Sequence, residues 1–279
     1  MKILVTGANG YLGQGIVKQL LDDGLEVIAT DLKTDYVDLR AKTVDADLFS
    51  IEDPYVFFGS PDAILHLAWR NGFSHNDISH IIDLPKHFLF IEKMVNSGLK
   101  KVSIMGTMHE IGFYEGVIDE NTSCNPINFY GISKNALRCF IETMVKNRDI
   151  VFQWLRGFYI VGNSTFGNSI FSKITKASSD GIKEFPFNSG KNKYDFLDYE
   201  DFCLRTASAV EQNQITGIIN ICSGIPLELS TRVEQFITDN NLKITLQYGK
   251  FPDRPYDSKA IWGDSKKINQ IMSKRRKKL

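Results

Sequence analysis

The run Ile3-Leu4-Val5-Thr6-Gly7-Ala8-Asn9-Gly10-Tyr11-Leu12-Gly13 passes from a short apolar stretch into three glycines at three-residue intervals. Leu12, Ile16, Val17, Leu20 and Leu21 then recur at helical spacing, and Gly24 ends the pattern where a residue tolerating positive φ is wanted. Strand, turn and helix therefore follow one another in crossover order. In such a turn the first glycine permits the bend, the second lets backbone approach a phosphate, and the third lets helix pack on strand. The helix N-terminus adds free N–H groups and a positive dipole, which suits a pyrophosphate. A bare structural turn has the same spacing; the flanking strand and helix favour the phosphate reading.

Outward from this turn, short apolar runs at 3–5, 26–30, 43–46, 63–67, 101–105 and 151–156 alternate with helical patterns, notably at 78–97 and 129–144. Such alternation is the signature of an α/β chain with a doubly wound parallel sheet. Ligands bind such sheets beyond the carboxyl ends of the strands. Past Gly162, clusters of Gly, Asn and Ser at 162–172 and 188–192 read as loops, followed by a helix at 199–210, a strand at 218–221 and a helix near 265–272. The expected division is a dinucleotide-binding Rossmann domain at 1–162 and 198–224, with a small discontinuous C-terminal substrate lobe at 163–197 and 225–279.

The chain has 279 residues, enough for one large α/β domain or two small ones. Its 43 % hydrophobic and 24 % charged residues exclude a disordered, collagen-like or membrane-spanning chain. Net charge is zero, but residues 266–279 hold seven basic side chains and no acid, leaving 26 basic against 33 acidic residues elsewhere. An acidic body of this kind argues against nucleic acid as a partner, and the basic run at 274–278 reads as a solvated terminus. Cys124, Cys139, Cys203 and Cys222 have neither metal-ligand spacing nor the density of a disulfide scaffold, so a reducing cytoplasm is expected. No apolar run is long enough to span a membrane or act as a signal peptide, and no membrane partner is expected.

The second strand ends in Asp31, about twenty residues beyond the glycines, where a carboxylate accepts the hydroxyls of an adenosine ribose. This favours NAD, because a 2′-phosphate would be repelled; Lys33 would partly offset the repulsion, which keeps NADP as the alternative. Tyr130 and Lys134 lie one helical turn apart, in a segment whose apolar face is Phe129, Ile132, Ala136, Phe140, Ile141 and Met144. A neighbouring ammonium favours phenolate, so this spacing predicts a tyrosine that exchanges a proton near neutrality.

With these features in order, the chain resembles the extended short-chain dehydrogenase/reductase family, in the NAD-dependent epimerase/dehydratase branch that acts on nucleotide-activated sugars. The resemblance covers nearly the whole chain. It rests on the glycine turn, Asp31, Asp47-Leu48, His66-Leu67-Ala68, the Tyr130 to Lys134 motif, Leu155-Arg156 and Asp195-Phe196. It implies that Gly7, Gly10, Tyr11, Leu12 and Gly13 hold the cofactor pyrophosphate, that Asp47 and Leu48 flank the adenine, and that Leu67, Ala68 and Trp69 line the cofactor. Tyr130 and Lys134 would be shared between cofactor and catalysis, with Lys134 on the nicotinamide ribose. Thr107 falls at the family's catalytic Ser/Thr position. Tyr130 would exchange a proton while Thr107 orients the reacting oxygen, making the chain an oxidoreductase on a nucleotide-diphosphate sugar.

Departures from the family pattern refine this expectation. The dehydratases of the family carry an acidic pair after the catalytic Thr, whereas Met108 and His109 stand here, which disfavours dehydration. His109 is a candidate for substrate contact or for a single acid/base. His66 reads as structural, and His75, His80 and His87 show no metal-ligand arrangement, so no metal is expected. Tyr194 stands where an Arg is usual before Asp195, Trp69 replaces an Ala, and Tyr159 replaces a frequent Asn. By resemblance Arg254 would neutralise the substrate diphosphate, with Asn168 a second candidate, and helices 78–97 and 129–144 would pair in a homodimer. The leading expectation is a keto-sugar reductase acting at C4. An epimerase working through a transient keto sugar and a noncatalytic dinucleotide sensor are the alternatives.

Overall fold

The computed structural model describes residues 1–162, 169–253 and 257–276. Seven parallel strands form the main sheet: β1 (Lys2–Thr6), β2 (Glu26–Asp31), β3 (Lys42–Asp45), β4 (Ala63–His66), β5 (Lys101–Thr107), β7 (Val151–Gly157) and β11 (Gly217–Ile221). Their spatial order is β11-β7-β5-β4-β1-β2-β3. The chain therefore leaves β1 in one direction through β2 and β3 and returns to β4 on its other side. This places the topological switch between β1 and β4, at whose carboxyl ends a ligand crevice opens.

Strand alternation explains why both faces are covered. Ile3, Val5, Val27, Ala29, Ala63, Leu65 and Leu155 are buried in one apolar cluster, while Leu4, Ile28, Ile64, Val102, Ile104, Phe152 and Trp154 are buried in the other. One face is covered by α1 (Tyr11–Asp22), α6 (Tyr199–Glu211) and α8 (Lys266–Arg276), the other mainly by α3 (Ser79–Asn96) and α4 (Phe129–Val145), with the short α2 (Pro54–Phe57) against α3. In α1 the stripe Ile16, Val17 and Leu20 is fully buried, each residue contributing about 1.5–3 kcal/mol relative to exposure.

A smaller layer holds the strands β12 (Pro226–Glu228), β10 (Lys193–Asp198), β14 (Ala260–Gly263) and β6 (Gly116–Ile118) in that order, with β8 (Tyr159–Val161) also paired to β10. A two-stranded piece joins β9 (Glu184–Pro186) to β13 (Thr245–Gln247). The helices α5 (Ile170–Ser179) and α7 (Leu229–Asp239) share a third apolar cluster with β10 through Phe171, Ile174, Phe196, Val233 and Phe236. Asp195 ties the layers: its carboxylate, fully buried, accepts the N–H groups of Ser223, Gly224 and Gly263 at 2.7, 2.9 and 3.1 Å.

Three segments pack across the division drawn from the sequence. β6 and β8 pair with the smaller sheet, whereas α8 packs on α6 and β11 of the main one through Ile268 and Ile271. The loop expected at 162–172 ends earlier: Ile170–Ser172 begin α5, capped by the Ser169 hydroxyl, which accepts the Ser172 N–H at 3.0 Å.

Candidate active site

The glycine turn leaves β1 at the switch point. Gly7 has φ of +68°, and a Cβ there would stand 2.6 Å from the Ala68 backbone nitrogen, so the turns after β1 and β4 touch as only glycine allows. A Cβ on Gly13 would overlap the carbonyl oxygens of Gly7 and Ala8, which fixes the start of α1 against the strand end. Tyr11 and Leu12 open α1, and Gly10 is its N-cap with no side-chain capping bond. The first N–H groups of α1 thus stand at a turn too tight for side chains, a cradle that fits a pyrophosphate.

Asp31 closes β2 beside this turn. Its two oxygens accept the N–H groups of Asn9 at 3.1 Å and Leu32 at 2.8 Å, and each retains a lone pair for a ribose hydroxyl. Lys33 is drawn away to Asp45 at 3.3 Å. Asp47 caps a short 3₁₀ turn at Leu48–Ser50, accepting the Phe49 N–H at 3.0 Å, and the Leu48 side chain is buried in the core. Leu67 and Ala68 follow β4, where their N–H groups donate to the backbone oxygen and the hydroxyl of Thr6 at 3.1 and 3.3 Å.

Thr107, Tyr130 and Lys134 meet at the carboxyl end of β5 and the start of α4. The Thr107 side chain stands close enough to the Tyr130 phenol to act on its proton affinity. Lys134 is buried; its Nζ donates to the Met105 carbonyl at 2.8 Å and lies 4.1 Å from the centre of the Trp69 ring. Burial pushes Lys134 down to about 7, with Glu110 opposing. Burial likewise pushes Tyr130 up to about 12; the nearby Thr107 hydroxyl lowers it and Glu110 raises it. This corrects the expectation of an ammonium-acidified phenol. Four-residue spacing does put both side chains on one helix face, but Nζ is taken up by a strand carbonyl and an indole, while burial and Glu110 raise the phenol.

Around this group all five histidines of the chain form one cluster. His66 bridges Thr6 Oγ1 at 2.8 Å and His87 Nδ1 at 2.9 Å. Trp69 stacks on His87 with centroids 4.4 Å apart and donates its indole N–H to His80 at 3.0 Å. His75, His80 and His109 surround the Tyr130 ring at centroid distances of 5.5, 5.3 and 6.0 Å.

Residues 3–222 match the model of the NAD dependent epimerase/dehydratase family. The chain belongs to that family. Among its relatives, a dTDP-6-deoxy-L-talose 4-dehydrogenase (NAD(+)) from Aggregatibacter actinomycetemcomitans is 43 % identical over 269 residues, covering 94 % of this chain and 99 % of the relative. A UDP-glucose 4-epimerase from Lactobacillus helveticus is 24 % identical, covering 98 % of this chain and 91 % of its own. A solved UDP-glucose 4-epimerase with UDP-glucose, from Thermotoga maritima, superposes with a TM-score of 0.81 at 21 % identity, over 97 % of this chain and 92 % of that one. This last likeness shows the family's fold.

Within the family frame, the residues expected at the cofactor side (Gly7 to Gly13, Asp31, Leu67 to Trp69) gather at the switch point, next to Thr107, Tyr130 and Lys134. His109, expected at the substrate, adjoins them. Asn168 and Arg254 lie outside the described residues. Tyr159 and Tyr194, two departures from the family pattern, prove to be one contact, their ring centroids 4.6 Å apart. Sequence reasoning missed His75, His80 and Glu110. The loop carrying His75 is held by contacts remote in sequence, and Glu110 is concealed in a three-residue turn.

Proposed function

We propose that the chain is a NAD-dependent oxidoreductase interconverting the 4-hydroxyl and 4-keto forms of a dTDP-linked 6-deoxyhexose, with reduction of the keto sugar as the direction favoured by its residues. The observation that carries this reading is the meeting of Thr107 and Tyr130 beside a buried Lys134, whose Nζ is held by the Met105 carbonyl. Bound NAD supplies the hydride exchange. Tyr130 gives its proton to the sugar oxygen, and Thr107 holds that oxygen in line. A phenol held at about 12 stays protonated at neutral pH and serves as donor to a developing alkoxide. The 43 % identity to a 4-dehydrogenase across almost the full length of both chains supports the substrate class. NAD is favoured over NADP because Asp31 ends β2 beside the glycine turn, where its carboxylate would repel a 2′-phosphate, and Lys33 is paired with Asp45.

The smaller layer is the proposed substrate lobe, with Arg254 and Asn168 as its candidate diphosphate contacts. Exposed Ile81, Leu89, Ile132 and Phe140 on α3 and α4 support a homodimer through those helices. Among the described residues no helix is long and apolar enough to cross a membrane, and all four cysteines are free, which supports the cytoplasm as the proposed location.

The second reading, an epimerase, is supported by relatives such as the 24 % identical UDP-glucose 4-epimerase. Incubation with dTDP-, UDP-, GDP- and CDP-linked sugars, each with NAD or NADH, separates the two. Stoichiometric change in nicotinamide absorbance with a dTDP-6-deoxyhexose supports the oxidoreductase; interconversion of sugars without net absorbance change supports the epimerase. NAD binding without turnover of any sugar would leave a dinucleotide sensor.

A further inference from the structure

Three of the five clustered histidines have their ring nitrogens engaged internally. His66 uses both, on Thr6 and His87, and His87 uses Nδ1 on His66. His80 is fixed by its partners: the Trp69 indole is a donor only, so His80 Nδ1 accepts, and Nε2 must carry the proton given to the Ser74 carbonyl at 3.0 Å. His75 and His109 differ. Among the described residues neither ring has a hydrogen-bond partner, and each keeps part of its surface open. The two rings lie 4.3 Å apart, centre to centre, and the His75 ring is stacked within 12° of the Tyr130 plane.

This placement is firmly built. The Tyr130 N–H donates to the His75 carbonyl at 2.9 Å, the Phe129 N–H to Asn76 Oδ1 at 3.4 Å, and the Asn71 side chain to Ser79 Oγ at 3.1 Å. The loop after β4 is thereby bolted to the first turn of α4, with His75 presented beside the reactive phenol. Burial holds both imidazoles below their ordinary range, His109 at about 4, so both are neutral at pH 7. A neutral imidazole offers one donor and one acceptor, the complement of a sugar hydroxyl. The reacting oxygen is already claimed by Tyr130 and Thr107, so two imidazoles flanking the phenol meet the next hydroxyl along the ring.

We infer that His75 and His109 form a two-imidazole subsite that hydrogen-bonds the sugar hydroxyl adjacent to the reacting carbon, and that His75 determines which sugars are accepted. The inference rests on the oxidoreductase reading above. A site built to bond a hydroxyl discriminates strongly against the analogue lacking it, because its own polar atoms are then left unpaired.

The test compares kcat/KM for the dTDP-linked 6-deoxyhexose and for its 3-deoxy analogue in wild type, His75→Phe and His75→Asn. Thermal melting and NAD titration of each variant establish that it is folded. Wild type is expected to prefer the hydroxylated sugar by about 10⁴-fold. In His75→Phe the preference collapses to near unity, the loss falling on the hydroxylated substrate alone, and His75→Asn, which keeps a donor and an acceptor, restores much of it. Equal loss on both sugars, with the preference intact, would mean that His75 merely supports the loop and would overturn the subsite. A wild type indifferent to the hydroxyl would overturn it too, while leaving the oxidoreductase standing; absence of turnover with every nucleotide sugar would instead remove the underlying reading.

Discussion

The Glu110 carboxylate accepts the Thr107 backbone N–H at 2.7 Å, while the Thr107 hydroxyl accepts the His109 N–H at 3.3 Å, closing a reciprocal box around Thr107. The same carboxylate receives the Trp154 indole N–H at 2.9 Å and faces Arg156 at 3.5 Å, both members of the ion pair being completely buried. Thr107 is thus held from behind by a buried pair whose members depend on each other. Glu110→Gln retains acceptors for Thr107 and Trp154 but leaves the Arg156 cation alone in the core. Breaking such a pair costs about 3–5 kcal/mol. The variant should melt roughly 10 °C below wild type, and its kcat should fall as Thr107 loosens. An unaltered melting temperature would show that Arg156 does not rely on Glu110.

Tyr130→Phe isolates the proton from the ring. The ring packs among His75, His80, His109 and Trp69, and phenylalanine preserves those contacts. Turnover of the nucleotide sugar should fall about 10²–10⁴-fold, the usual worth of a positioned acid, while melting temperature and NAD affinity stay near wild type. Steady-state kinetics beside NAD titration decide it; retained turnover would take Tyr130 out of the chemistry.

Burial of Lys134 makes stability depend on pH in a definite direction. Its proton is held up to about 10.5 in the unfolded chain but only to about 7 in the folded one. Between those values the unfolded state binds more protons, so stability rises with pH, by at most about 1.4 kcal/mol per unit from this group. Lys101, pushed down to about 8 by burial, acts in the same sense at higher pH. The decisive comparison is therefore Lys134→Met against wild type in urea at pH 7, 8 and 9. The variant's curve should be flatter than wild type's by the Lys134 share. Parallel curves would mean that the buried amine stays charged over this range, as it is in the unfolded chain.

The main sheet was legible because its strands are apolar at consecutive positions, with alternate residues sent to two covered faces, as Ile3, Leu4 and Val5 already declare. The smaller layer was not: β6, β8, β9, β12 and β13 have three residues each, too few for a period, and their pairing partners lie far along the chain. In the candidate site, the placing of Tyr130 and Lys134 on one helix face was legible from their spacing, whereas Thr107 entered only through the family resemblance. The direction of the pKa shifts of Tyr130 and Lys134 was not legible, since it depends on burial and on where Nζ terminates. The gathering of five histidines scattered from His66 to His109 arises from a loop folding onto α4, which leaves no periodic trace in the sequence.

Arg275, on the last helix, donates to Asp23 at the end of α1 and reaches Glu211 at the end of α6 at 3.2 Å, clasping three helices of one face. Burial first and Asp23 second push Glu211 up to about 7. Because the folded value exceeds the unfolded one, the contribution of this carboxyl is fully present at low pH and fades as pH rises toward 7. Removing the guanidinium takes away the group that keeps both carboxylates tolerable when ionised. Arg275→Ala should therefore cost about 1–3 kcal/mol, and more at pH 8, where both carboxyls are charged, than at pH 6, where Glu211 holds its proton. Urea midpoints at the two pH values measure this directly. Equal losses at both would show that the clasp works by packing of the arginine stem, and a larger loss at pH 6 would contradict the charge assignment altogether.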